Sequence, residues 1–124
     1  MKGSAGDALV DRTTHGTVEV LALRAAEVYR ADTIAKLGHE LRRLFDGVGA
    51  ATVFVLDLSD VEFLSSAALG LIINVWSHLV GRGCRFALAG AKGEVAQVLA
   101  CTRLSEIMTV FPTVEEAVKK LGCG

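Results

Sequence analysis

Residues Thr52 to Val80, TVFVLDLSDVEFLSSAALGLIINVWSHLV, constrain the fold more than any other stretch of the chain. Thr52 to Leu58 is a nearly unbroken apolar run rich in branched side chains, the pattern of a strand covered on both faces within a parallel sheet. Ser59, Asp60 and Glu62 follow as a polar turn. From Ser66 onward, a helical step of about 100° per residue brings Leu69, Ile72, Ile73, Trp76, Leu79 and Val80 onto one broad apolar face, expected to enter the core. Ser66, Gly70, Asn74 and Ser77 share a second stripe that is small and polar. Ser66 is therefore expected at a helix entrance, facing outward. Either Ser65 or Ser66 is suited to cap that helix, since a serine oxygen accepts one of the amide hydrogens left over in the first turn.

Other elements fall into place around this unit. Ala8 to Asp11 and the partly alternating Thr17 to Leu23 are expected as two strands joined by the polar turn Thr13 to Gly16. Asp32 is a candidate N-cap for a helix from about Thr33 to Phe45, in which Ile34, Leu37, Leu41, Leu44 and Phe45 recur at helical spacing, and Gly47 and Gly49 stop it. After the central helix, Gly81-Arg82-Gly83 predicts a turn, Cys84 to Ala89 a short buried strand, and Glu94 to Cys101 a helix with Val95, Val98 and Leu99 inward. Ile107 to Phe111 is expected as a last strand closed by Pro112, which has no amide hydrogen for the ladder. Thr113 and Glu116 form a capping box for a terminal helix whose apolar stripe is Val114, Ala117, Val118 and Leu121. Lys119 and Lys120 stand near its C-terminal end, where the helix dipole favours cations.

A length of 124 residues suits one domain with a real core. The expected unit is a single domain over 1–124, with its core at about 17–121 and residues 1–6 frayed. Hydrophobic residues make up 52% of the chain, which fits buried parallel strands. A formal net charge of −1, with 13 scattered Lys and Arg, offers no field for nucleic acid. No uninterrupted apolar run approaches about 18 residues, so no membrane span is expected, and Lys2 is not followed by the apolar segment of a secretory signal. A cytoplasmic location is expected.

Chemistry is sparse. His15, His39 and His78 lack metal-ligand spacing to one another or to a cysteine, and Gly90-Ala91-Lys92-Gly93 lacks the spacing and the Lys-Ser or Lys-Thr ending of a phosphate-binding loop. Cys84, Cys101 and Cys123 are widely spaced and odd in number, as in a protein with reduced thiols; Cys84 and Cys101 are expected as small core residues. No nucleophile elbow surrounds Ser65 or Ser66. No catalytic residue, metal site or cofactor is expected. Asp57 and Asp60, at the end of a parallel strand, are the one candidate small-ligand site, although turn formation and helix-entrance capping by Asp60 are the favoured roles for aspartate there.

The segment Val53 to Gly70, centred on Phe63-Leu64-Ser65-Ser66-Ala67-Ala68-Leu69-Gly70, resembles the phosphorylation loop of STAS domains, the bacterial anti-sigma-factor antagonists, and the similarity in element order extends from about Thr17 to Leu121. The resemblance implies an α/β fold with a mixed, mostly parallel sheet and about four helices. Ser65 stands where the family reads aspartate and Ser66 where it reads the phosphorylated serine. Ala67 and Ala68 replace a second hydroxyl residue and a glycine, and Leu69-Gly70 is retained. The implied function is a non-enzymatic regulatory module, an anti-anti-sigma factor of the transcription machinery. Its partners would be an anti-sigma factor or a serine kinase of the anti-sigma type, and a phosphatase. Ser66, or else Ser65, would take the phosphate. The implied docking residues are Ser65, Ser66, Gly70, Leu71, Asn74, Val75 and Ser77. A scaffold or sensor-complex component that associates with other STAS domains and is not phosphorylated stays open as an alternative.

Overall fold

The computed structural model describes residues 10–24, 27–28, 31–45 and 52–122. Its elements are β1 (Val10–His15), β2 (Val18–Leu23), β3 (Glu27–Val28), α1 (Ala31–Phe45), β4 (Val53–Asp57), β5 (Phe63–Leu64) and α2 (Ser66–Gly81). There follow β6 (Arg85–Ala89), α3 (Gly93–Cys101), the single turn α4 (Leu104–Ile107), β7 (Thr109–Phe111) and α5 (Val114–Gly122). Five strands form a sheet in the order β1-β2-β4-β6-β7. β1 and β2 are an antiparallel hairpin, and every other pairing in the sheet is parallel. The fold is the α/β arrangement expected from the central stretch.

The apolar run of β4 is explained by helices on both sides of it. Along a strand, successive side chains point to opposite faces. Phe54 and Leu56 therefore join Leu21, Leu23 and Leu88 in a core shared with Leu37 and Leu41 of α1, Ile72 and Leu79 of α2, and Val95 and Leu99 of α3. Val53 and Val55 point the other way, with Val18, Val20 and Ala89, and meet Ala117 of α5. Phe45 closes the larger core against Phe54, the rings 5.1 Å apart at 71°, an edge-to-face contact. Each fully buried leucine or phenylalanine contributes about 1.5–3 kcal/mol.

Several boundaries differ from the sequence expectation. The first strand, expected to end at Asp11, runs on to His15, because six residue pairs, Val10 with Leu23 through His15 with Val18, complete the hairpin about Gly16. α1 begins at Ala31, which puts Asp32 inside the helix rather than at its cap; its side chain, residues 1–9, Gly47, Gly49 and Cys123 lie outside the described residues. Phe63 and Leu64, which the sequence assigns to no element, form a short parallel pairing with Glu27 and Val28. Ile107, expected at the start of a strand, ends the turn α4, which Arg103 opens in the left-handed region at φ 64°. Cys84 is buried as expected, but Cys101 is exposed, because the inward positions of α3 are Val95 and Leu99.

Candidate functional site

The start of α2 is built by three consecutive constraints. Leu64 is buried and its strand pairs with β3, which fixes the direction in which the chain enters the helix. Ser65 then sits in an extended conformation at φ −87° and ψ 169°, and its Oγ accepts a hydrogen bond from the Ala68 amide at 3.2 Å. Ala68, buried, is the first contact of the helix with the core. Ser65 is thus the cap, and Ser66 is the first helical residue with its side chain exposed.

The buried face of α2 is Ala68, Ile72, Val75 and Leu79. This corrects the expected face, which is rotated by about 70° at 100° per residue. Ile73 and Val80, assigned to the core, are 39% and 47% exposed. Leu69 and Trp76 are half-buried at its margin. The helix carries branched apolar residues most of the way round, so periodicity alone does not fix its orientation; the Leu64 anchor and the small Ala68 do. The polar stripe keeps its place: Ser66, Asn74 and Ser77 are exposed, and Gly70 is half-buried among them.

Two of the residues expected at a docking surface are less exposed than the stripe itself. Val75 is only 7% exposed and belongs to the core, and Leu71 is half-buried, packing on that core. Ile73, exposed, borders the outward stripe on its other edge, beside Ser66 and Ser77 at 100° per residue. Phe63, 44% exposed, lies just before the helix. Ile73 escaped sequence reasoning because an apolar residue is assigned inward by default, whereas an exposed one next to a functional stripe is the more informative observation. A Cβ added at Gly70 would meet nothing within 4 Å. The fold does not demand glycine there, and its absence of side chain leaves a shallow place on the surface.

The first turn of α2 carries no acidic side chain. A helix N-terminus has roughly half a positive charge, and none of its own carboxylates offsets it here. An anionic group on Ser66 would stand where the helix field favours it.

At the far ends of the parallel strands lies an open groove of about 420 Å³ lined by Asp57, Ser59, Gly90, Lys92, Thr113 and Glu115, among others. Asp57 Oδ1 accepts hydrogen bonds from the amide of Ser59, at 2.9 Å, and from its hydroxyl. Asp57 is thereby committed to its own turn. Asp60 is exposed and does not line the groove. His15, His39 and His78 are all exposed, and among the described residues no three His, Cys, Asp or Glu side chains are grouped as metal ligands. No helix among them is long and apolar enough to cross a membrane.

A mixed sheet with one antiparallel edge strand, helices on both faces and a serine-capped helix left open after the central strand defines an α/β domain of the STAS type. The STAS domain family description matches residues 12–117, and the chain belongs to that family. A Thermotoga maritima protein named as a candidate anti-sigma factor antagonist is 36% identical over 66 residues, 53% of this chain and 58% of that protein. The chain thus matches less than two thirds of that relative's length. Among solved structures, an anti-sigma-factor antagonist (STAS) domain protein from Planctomyces limnophilus superposes with a TM-score of 0.81 at 20% identity, covering 93% of this chain and 99% of that one. A chain from the stressosome, a signal integration and transduction hub, gives a TM-score of 0.71 at 23% identity over 90% and 96% of the two chains. At these identities the structural likenesses establish the fold.

Proposed function

We propose that this STAS domain is an anti-sigma factor antagonist: it binds an anti-sigma factor through the outward stripe of α2, and phosphorylation of Ser66 releases it. The observation that carries this is the position of Ser66, exposed at the first residue of a helix whose opposite side is anchored by Ala68, Ile72, Val75 and Leu79. Ser66, Gly70, Ile73, Asn74 and Ser77 supply the docking stripe. A serine phosphate adds about 1.5–2 negative charges. On α2 the helix terminus tolerates that charge, so the fold survives, while a partner packed against Ser66 must desolvate a dianion. Release follows when that cost approaches the binding energy, and a phosphatase resets the switch. The domain needs no catalytic group of its own.

Incubation with ATP and a serine kinase of the anti-sigma type, followed by intact mass measurement, is expected to show one phosphate, lost in Ser66→Ala. In a pull-down, Ser66→Asp and Gly70→Arg are expected to lose the partner. Gly70→Arg is a clean probe, since the fold leaves that position open. Wild-type retention by both variants would remove this surface from consideration. The alanines at 67 and 68, together with the likeness to a stressosome chain, favour a second reading, a constitutive scaffold among STAS domains. A scaffold would gain no phosphate and would co-purify with STAS partners whatever residue stands at 66.

A further inference from the structure

Between α1 and α2 the surface opens into a groove of about 480 Å³. Phe45 and Val75, buried, and Leu71, half-buried, make its apolar floor; Arg42, Asn74 and His78, all exposed, make its polar rim. Gly38 sets the spacing of the two helices there, since a Cβ on it would come within 3.3 Å of Leu71 Cδ1. No acidic side chain lines the groove among the described residues. Further positive charge gathers at the same end of the helix pair. Arg43 stands in the last turn of α1, and Arg82 donates to the Phe45 carbonyl at 3.2 Å. Among the described residues, the groove lining thus sets one guanidinium, that of Arg42, over an apolar floor.

The volume lies within the roughly 300–1,000 Å³ range of small-molecule sites, which pair apolar walls with a few oriented polar groups. An occupant complementary to all of these features has an unbranched apolar tail and a single anionic head. The planar fork of arginine matches a carboxylate in two parallel hydrogen bonds, and the Asn74 amide and His78 imidazole stand beside it as further donors. We propose that the α1–α2 groove binds a small amphipathic carboxylate of the medium-chain fatty acid class, with its head at Arg42 and its tail across Phe45, Leu71 and Val75. The site is independent of how Ser66 is used, although Asn74 borders both surfaces.

The test is a titration of isotopically labelled full-length protein with decanoate, kept below its micelle concentration, followed by amide chemical shifts. Acetate, which lacks the tail, and decanol, which lacks the charge, are the comparison ligands. Decanoate is expected to give saturable shifts at Gly38, Leu71, Asn74 and His78, and acetate none. Decanol is expected to bind about tenfold or more weakly, as is decanoate to Arg42→Ala, because a charge-assisted hydrogen bond is lost in each. Arg42→Ala should unfold at the wild-type temperature, and Ser66→Asp should bind decanoate as the wild type does, whatever becomes of its protein partner. Shifts that map elsewhere or fail to saturate would overturn the proposal, as would equal affinity for decanol or an unaffected Arg42→Ala. Broadening of the same resonances with protein concentration alone would overturn it too, by assigning the groove to a second copy of the chain.

Discussion

Ser65 and Ser66 are chemically identical neighbours with different tasks. The hydroxyl of Ser65 satisfies the Ala68 amide, whereas Ser66 is exposed at the first helical position. Ser65→Ala is expected to destabilise the domain by about 1 kcal/mol, the usual worth of such a cap, whereas Ser66→Ala stays within about 0.5 kcal/mol of wild type. Urea unfolding of the two variants measures the difference. The sequence alone left the cap open between them, because both residue types fit, and the pairing of Leu64 with Val28 decides it. A second residue is more restrictive. Gly90 has φ +81°, and a Cβ there would fall 2.4 Å from Ser59 Oγ and 2.8 Å from Asp57 Oδ1. Gly90→Ala is therefore expected to lower the unfolding free energy by about 2–4 kcal/mol, combining left-handed strain with overpacking, again read from urea unfolding. That glycine is legible in the sequence as a turn residue. The side chains crowding it come from another loop and are not.

The elements that local pattern specifies strongly, β2, β4, α1, β6 and α5, stand close to where the sequence puts them, with Thr113 Oγ1 accepting from the Glu116 amide at 3.1 Å to start α5. β5 was illegible because a two-residue strand has no period, and α4 because its opening residue, Arg103, adopts a left-handed conformation without being glycine. The orientation of α2 is not legible in the sequence for a different reason: branched apolar residues occupy most directions around it, and tertiary contacts choose among them. In the hairpin, sequence spacing conceals an electrostatic link. Glu19 accepts from Arg12 Nε at 2.8 Å and from Thr14 Oγ1 at 3.1 Å. The Arg12 hydrogen bond, with help from Thr14 and the Arg12 charge, holds the Glu19 carboxyl below the usual glutamate range, against the opposing effect of burial. A folded-state value below the unfolded one means stability present above the unfolded pKa and lost as pH falls through the folded pKa. Arg12 is 43% exposed, so the pair contributes only about 0.5 kcal/mol after screening. Arg12→Ala should lose that amount at pH 7 and show a shallower stability slope on acidification into the range below the normal glutamate pKa. Equal slopes in pH-dependent urea melts would count against the link.

Over the whole molecule, the layering of the sheet determines which groups respond only to global opening. Cys84 lies within the large core and Cys101 on the outer side of α3. A maleimide applied to the native protein should modify Cys101 within minutes while Cys84 reacts only as fast as the core opens. Peptide mass mapping at increasing urea gives the order, and early modification of Cys84 would contradict the packing. The two faces of the sheet are also unequally served. Three helices divide one of them, while Val18, Val20, Val53, Val55 and Ala89 on the other depend on α5, whose one fully buried side chain is Ala117. Because α5 closes the described order of elements, a ribosome finishing this stretch has already released five strands before the helix that shields their second side emerges. Until then the nascent chain presents a greasy plane of β-branched residues, the kind of surface that holdase chaperones engage, and a stop codon after Pro112 would make that transient exposure permanent.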